Sequence, residues 1–279
     1  MNTILLLGAV GTGLFAGILA GLFGVGGGII IVPALLALFH VTGVETPYAM
    51  QLAVGTSLAT IIITNISSTW HHHRRGSVVW QRAGLYLPGV LAGAGAGGFL
   101  ATLIAGETLK ALFGGFEIII GLKMAGVPLL PFRRRQEKKQ PPTPRPATPL
   151  PWLGQLLLAV VIGAISSLFG IGGGTLTVPA LTLLSALPMK NAVATSSAIG
   201  VGIAVAGALS FLLAGQEMSD LPASSWGFVL PTAFVGIIIG TLTTTPLGVR
   251  LAHALPHALM KRLFGILMIV VGIKLLIPS

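Results

Sequence analysis

Gly21-Leu-Phe-Gly-Val-Gly-Gly-Gly-Ile-Ile-Ile-Val-Pro-Ala-Leu-Leu-Ala-Leu38 returns as Ser167-Leu-Phe-Gly-Ile-Gly-Gly-Gly-Thr-Leu-Thr-Val-Pro-Ala-Leu-Thr-Leu-Leu184. A run such as Gly24-Val25-Gly26-Gly27-Gly28 carries a large backbone-entropy cost inside a helix, and Pro33 removes a further backbone donor. Each copy therefore predicts a broken helix rather than a straight one. Freed N–H and C=O groups survive within lipid only where protein or a water-filled cavity satisfies them, so two broken helices predict a lined cavity. The glycines also invite comparison with a phosphate loop. No strand–turn–helix context, Lys-Ser/Thr pair or downstream acid accompanies either copy, which argues against nucleotide binding.

Composition places the two copies in a membrane. The 279 residues are 54% hydrophobic and 8% charged, with a mean hydropathy of +0.95, whereas soluble domains carry about 25% charged residues. Sixteen Lys and Arg stand against six Asp and Glu. In a membrane chain that imbalance concerns loop orientation, not nucleic acid. No cysteine is present, so disulfides and thiolate metal sites are excluded.

Residues 3–44 carry no charge and are too long for one crossing. The expected spans are 3–23, 29–43, about 48–68, 84–104 and 109–127 in the first half. In the second they are 152–169, 172–187, 190–213, 226–246 and 258–277. The fold expected is all-α and polytopic: ten transmembrane segments as a five-plus-five repeat, with residues 1–127 and 152–279 as its halves. Between them, 128–151 is a basic and proline-rich linker holding Arg133 to Arg135, Lys138 and Lys139. The duplication extends past the glycines. Ala53 to Ser57 matches Ala192 to Ser196; Leu87-Pro88 with Gly93 and Gly97 matches Leu230-Pro231 with Gly236 and Gly240; Lys110, Gly114, Gly121 and Lys123 match Lys261, Gly265, Gly272 and Lys274.

Basic residues collect in cytoplasmic loops. Loop 70–82 is basic while its repeat partner 214–225 holds Glu217 and Asp220. The halves are therefore expected to be inverted, with both termini outside.

On the doubled Phe-Gly-x-Gly-Gly-Gly, its Val-Pro, the Ala-x-x-Thr-Ser of the next span and the five-plus-five plan, the chain resembles the TauE/SafE sulfite exporter family, also called the 4-toluene sulfonate uptake permeases. The resemblance implies passage of small sulfur-containing anions (sulfite, thiosulfate, sulfoacetate or other organosulfonates) across a bacterial inner membrane; with the inverted repeat, the expectation is a secondary transporter that exports them by alternating access. No cofactor is implied. An anion channel and an intramembrane enzyme are the alternatives, and the oligomeric state is open.

Inverted-repeat transporters aim half-helix N-termini at anionic groups near mid-depth. The candidate substrate contacts are accordingly Gly24, Gly26, Gly27 and Gly28 with Gly170, Gly172, Gly173 and Gly174, unless these glycines serve only close packing. Thr56 and Ser57, with Thr195, Ser196 and Ser197, lie deep enough to reach such a site, or else bond to nearby carbonyls. Gln51, Asn65 and Lys190 are polar positions that differ between the halves (Gln51 matches Lys190, Asn65 matches Ala204) and either tune the substrate or join helices. Glu117, whose repeat partner is Met268, is a proton-coupling candidate or a structural acid. Consecutive His71, His72 and His73 point about 100° apart on a helix and cannot converge on one metal.

With cysteines introduced singly, Glu107→Cys and Met218→Cys should react with an impermeant thiol reagent on intact cells, and Arg74→Cys and Lys138→Cys should not. Labelling at 138 without labelling at 218 overturns the inverted plan.

Overall fold

The computed structural model describes residues 2–125, 151–218, 220–254 and 257–277. The expected linker, apart from Pro151, lies outside the described residues. Ten α-helices occur among them: α1 (Asn2–Phe23), α2 (Gly28–Thr42), α3 (Ala49–His73), α4 (Trp80–Leu103), α5 (Gly106–Ala125), α6 (Trp152–Leu168), α7 (Gly174–Leu184), α8 (Met189–Ala214), α9 (Pro231–Ala254) and α10 (His257–Leu276). The only β pairing among the described residues is an isolated bridge between Trp226 and Val229.

Five of these helices are long and apolar enough to cross a membrane: Thr3–Phe23, Ala49–His73, Trp80–Leu103, Met189–Ala214 and Pro231–Ala252. The chain is a multi-pass membrane protein. Helices α2 and α7 have 15 and 11 residues, so they rise only about 22 and 16 Å, short of a ~30 Å hydrocarbon core. Of the ten segments expected, all are helical and five have the length and composition of a crossing. After each glycine break the chain continues as a short helix.

Other boundaries shift for local reasons. Pro33 and Pro179 lie inside α2 and α7, one and a half turns past the breaks, so the glycines alone make the interruption. Helix α3 continues through His71 and His72 to His73, and only 74–79 connects it to α4. Pro231 opens α9, a favoured first-turn position, and the helix runs through Pro246 to Ala254.

Small residues set the packing. Along α1 and α9, a Cβ on Gly13 would meet the backbone of Ile237, one on Gly17 that of Thr241, and one on Gly21 that of Thr245. The two helices thus run parallel with their backbones in near contact, the small-xxx-small geometry of lipid-embedded pairs. Helix α4 packs on α6 in the same manner: a Cβ on Gly93 would strike Val160, and one on Gly97 would strike Ala164. Helices α3 and α8 cross antiparallel, bringing Leu58 beside Gly207 and Asn65 beside Gly200. The remaining pairings are also matched between the halves: α4 with α8 and α9 with α3, α2 with α3 and α7 with α8, and α5 with α10.

This packing corrects one sequence match. A Cβ on Gly89 would meet Leu156 and Ala159, and one on Gly240 would meet Val10 and Gly13, which hold the same repeat positions. Gly97 against Ala164 likewise corresponds to Gly248 against Ile18. Gly89 is therefore the counterpart of Gly240, and the match of Pro88 with Pro231 is displaced by about two helical turns.

Gly13→Ala should lower the midpoint of thermal unfolding in detergent, because overpacking against the Ile237 backbone costs about 1–3 kcal/mol. Gly11→Ala, two residues away with nothing within 4 Å of the new Cβ, should be neutral or stabilising by up to about 1 kcal/mol. Equal effects from the two would refute backbone contact as the basis of this interface.

Candidate functional site

The two glycine breaks have the same backbone geometry at the same offsets. Gly24, Gly26 and Gly27 take φ of 66°, 77° and 84°; Gly170, Gly172 and Gly173 take 68°, 71° and 90°. Only glycine adopts three such left-handed values in four residues without strain. The last of each set caps the following short helix, Gly27 before α2 and Gly173 before α7.

The breaks lie against one another. A Cβ on Gly28 would strike the Gly170 carbonyl, and one on Gly174 would strike the Gly24 carbonyl. Ile61, halfway along α3, lies between them: a Cβ on either Gly26 or Gly172 would fall 2.7 Å from its Cγ2. The N-termini of α2 and α7, each carrying the positive end of a helix dipole, therefore meet at one buried crossing.

Hydroxyls from the opposite half hold the carbonyls at this crossing. Ser57 Oγ donates to the Gly170 carbonyl at 2.9 Å, and Ser196 Oγ donates to the Gly24 carbonyl at 3.1 Å. The preceding threonines act elsewhere. Thr56 Oγ1 accepts from the Leu230 N–H at 2.9 Å, just ahead of α9, and Thr195 Oγ1 accepts from the Val79 N–H at 3.0 Å, just ahead of α4. Ser197 Oγ lies 3.1 Å from Ser68 Oγ, joining α8 to α3.

Among the described residues, the buried N–H groups of Gly26, Gly27, Gly28, Gly172, Gly173 and Gly174 meet no hydrogen-bond acceptor. Burying such donors unpaired is costly. Serine occupies the Gly24 and Gly170 carbonyls, while these six donors stay open at the crossing. Asn65 adds a side-chain amide there: it is fully buried, neither its oxygen nor its nitrogen has a hydrogen-bond partner, and it abuts Gly26 and Gly200.

The other candidates are placed apart. Gln51 is buried near the start of α3, where its Nε2 donates to the Ile104 carbonyl at 2.7 Å and ties α3 to the end of α4. Lys190 is exposed in the first turn of α8, roughly 9 Å along the axis from Ser196. Glu117 is fully buried on α5, with neither carboxyl oxygen hydrogen-bonded. On the same helix Phe113 and Phe116 pack on Phe169 with ring centroids 5.8 and 4.8 Å apart, bracing the second break. The histidines turn separate ways: His71 Nδ1 donates to the Ser67 carbonyl at 2.7 Å, His72 Nε2 lies 3.3 Å from the Gly21 carbonyl, and His73 Nδ1 accepts from Trp80 Nε1 at 3.2 Å.

A cavity of about 570 Å³ leads to the crossing. Phe23, Val25 and Gly174 line its deep end, with Thr175, Lys123 and Met189 among its other walls. The Thr175 hydroxyl is buried without a hydrogen-bond partner. Thr175 and Lys123 were not among the candidates from sequence, although the Thr175–Ile29 difference between the repeats was a usable signal. A second cavity, of about 580 Å³, lies in the α8–α9 connection around Gln216 and Trp226, away from both breaks.

The TauE/SafE sulfite exporter family model matches residues 9–275. A probable membrane transporter protein of Haemophilus influenzae is 33% identical over 94% of this chain and 95% of its own. One from Xylella fastidiosa, strain Temecula1, is 34% identical over 96% and 94%. YunE of Bacillus subtilis, also named a probable membrane transporter protein, is 34% identical over 73% and 77%. No solved structure matches the chain. The breaks at Phe23–Gly28 and Phe169–Gly174 thus lie in a protein that belongs to the TauE/SafE sulfite exporter family.

Proposed function

We propose that this protein is a secondary transporter that exports small sulfur-containing anions, such as sulfite, thiosulfate, sulfoacetate or another organosulfonate, across the bacterial inner membrane by alternating access. The observation that carries this reading is the pair of helix N-termini at the glycine crossing, with six buried N–H groups unpaired and the Gly170 and Gly24 carbonyls taken by Ser57 and Ser196. An oxyanion accepts several hydrogen bonds at once and is favoured by both dipoles. Asn65 Nδ2 adds a side-chain donor. Family and relatives point to transport rather than to an enzyme.

In the same reading, residues 1–127 and 152–279 are inverted repeats of five helices, with both termini periplasmic and the crossing on a pseudo-two-fold axis. The matched pairings of α1 with α9 and α6 with α4 support it, as do the paired hydrogen bonds of Thr56 and Thr195 and of Ser57 and Ser196. Lys123 and Met189 at the cavity wall adjoin loops expected inside, so in this reading the cavity opens toward the cytoplasm. Glu117 is the proton-coupling group: a lone acid within a membrane helix, on the helix that braces the second break, is a functional position by default.

Asn65→Asp keeps shape but sets an acceptor and a negative charge beside the anion. It should weaken sulfite and thiosulfate binding at least tenfold, about 1.4 kcal/mol, as read by ligand-induced thermal shift on monodisperse protein. Wild-type affinity in this variant removes the crossing as the site.

Glu117→Gln should bind the same anions with unchanged affinity while transport in proteoliposomes loses its dependence on an imposed pH gradient. A mutant whose transport still follows the gradient returns Glu117 to a structural role.

A further inference from the structure

The cavity at the crossing is built from one set of repeat positions, and the duplicated chain carries a second set. Phe23 and Val25 correspond to Phe169 and Ile171; Gly174, Thr175 and Val178 correspond to Gly28, Ile29 and Val32; Met124 corresponds to Leu275 and Met189 to Met50. The first set surrounds open space. The second is packed more closely: Phe169, Ile171, Ile29, Val32, Leu275 and Met50 are all buried in one apolar cluster, whereas Phe23, Met124 and Met189 of the first set are only half-buried. The two sets touch at the crossing, where Gly28 abuts the Gly170 carbonyl and Gly174 abuts the Gly24 carbonyl.

Given the alternating-access reading above, we propose that this closed cluster opens into a second anion vestibule on the opposite membrane face, with Lys274 as its entrance cation where Lys123 serves the open one. Equivalent packing in the two repeats makes the exchange nearly isoenergetic, since the apolar burial given up on one side is recovered at matched positions on the other. Lys274 is exposed on α10 and Lys123 is exposed on α5, and the two helices cross antiparallel, with Gly114 against Gly272 and Gly121 against Gly265. Their ammonium groups therefore stand toward opposite ends of one helix pair. The two vestibules differ in chemistry. Thr175 offers the open one an unpartnered hydroxyl, while Ile29 offers the closed one none, so the anion is held more tightly on the Lys123 side.

The test uses impermeant maleimide on the full cysteine-free chain, carrying Met50→Cys or Leu275→Cys for the closed set, Ile120→Cys for the open set, or Ile273→Cys on the exposed face of α10. Right-side-out and inverted vesicles are labelled with and without saturating sulfite, and sulfite flux is measured in the same preparations. Met50→Cys and Leu275→Cys should react from the face opposite to that which labels Ile120→Cys, at a rate that sulfite changes at least threefold, while Ile273→Cys stays unreactive. Lys274→Gln should raise the half-saturating sulfite concentration at least threefold on the Met50 side only, and Lys123→Gln on the other side only. If sulfite flux is intact but neither Met50→Cys nor Leu275→Cys reacts from that face, or if both lysine variants act on the same side, the second vestibule is refuted while transport stands. If the wild-type chain moves neither sulfite, thiosulfate nor sulfoacetate, the transporter reading fails and takes the vestibule with it.

Discussion

Backbone polar groups buried away from water must be paired, and the structure depends on how this protein meets that constraint at its two glycine breaks. Each break frees both carbonyls and N–H groups in the interior. The carbonyls of Gly24 and Gly170 are taken by Ser196 and Ser57, each from the opposite half. The donors are left over, at two helix starts whose dipoles point the same sign of potential at one place. A single serine hydroxyl on each side thus takes one carbonyl of each break, and both helix starts set the positive ends of their dipoles at the same crossing.

The starting points of the short helices follow from the same constraint. At 15 and 11 residues, both helices start where the opposing break supplies backbone contact. Glycine at positions 28 and 174 is needed there for room rather than for φ, since a Cβ at either would strike a carbonyl across the crossing.

Much of this was legible in the chain. Gly24 to Gly28 and Gly170 to Gly174 announce breaks because glycine acts on local backbone freedom, and local effects are readable locally. The all-helical, multi-pass character follows from composition in the same way. The partners of the hydroxyls were not legible. Thr56 and Ser57 are neighbours of similar depth, yet one accepts from Leu230, 174 residues away, and the other donates to Gly170, 113 residues away. Only the assembled bundle decides which hydroxyl points where. The α4–α9 register failed for another reason. Helices with glycine and alanine every three or four residues match themselves when slid by two turns, so the sequence alignment had a false solution that only the packing against α1 and α6 removes. Lys190 and Gln51 are repeat partners with opposite burial, because Gln51 is covered by the α4–α5 link and Lys190 is not.

The parallel seam of α1 with α9 also sets a problem in time. Gly13, Gly17 and Gly21 give α1 a face shaped for a backbone that is synthesised much later, since α9 begins at Pro231. At about 5–20 residues per second, α1 waits on the order of 10–40 s for its partner. During that interval the N-terminal helix holds a bare glycine groove toward lipid or the insertion machinery, and any other small-faced helix nearby competes for it. Helices α4 and α6 are nearer in sequence, and at the same rate α6 follows α4 within about 3–13 s. Biogenesis is therefore asymmetric although the finished packing is not: the α4–α6 seam forms early, and closure of α1 onto α9 is the late step that completes the bundle.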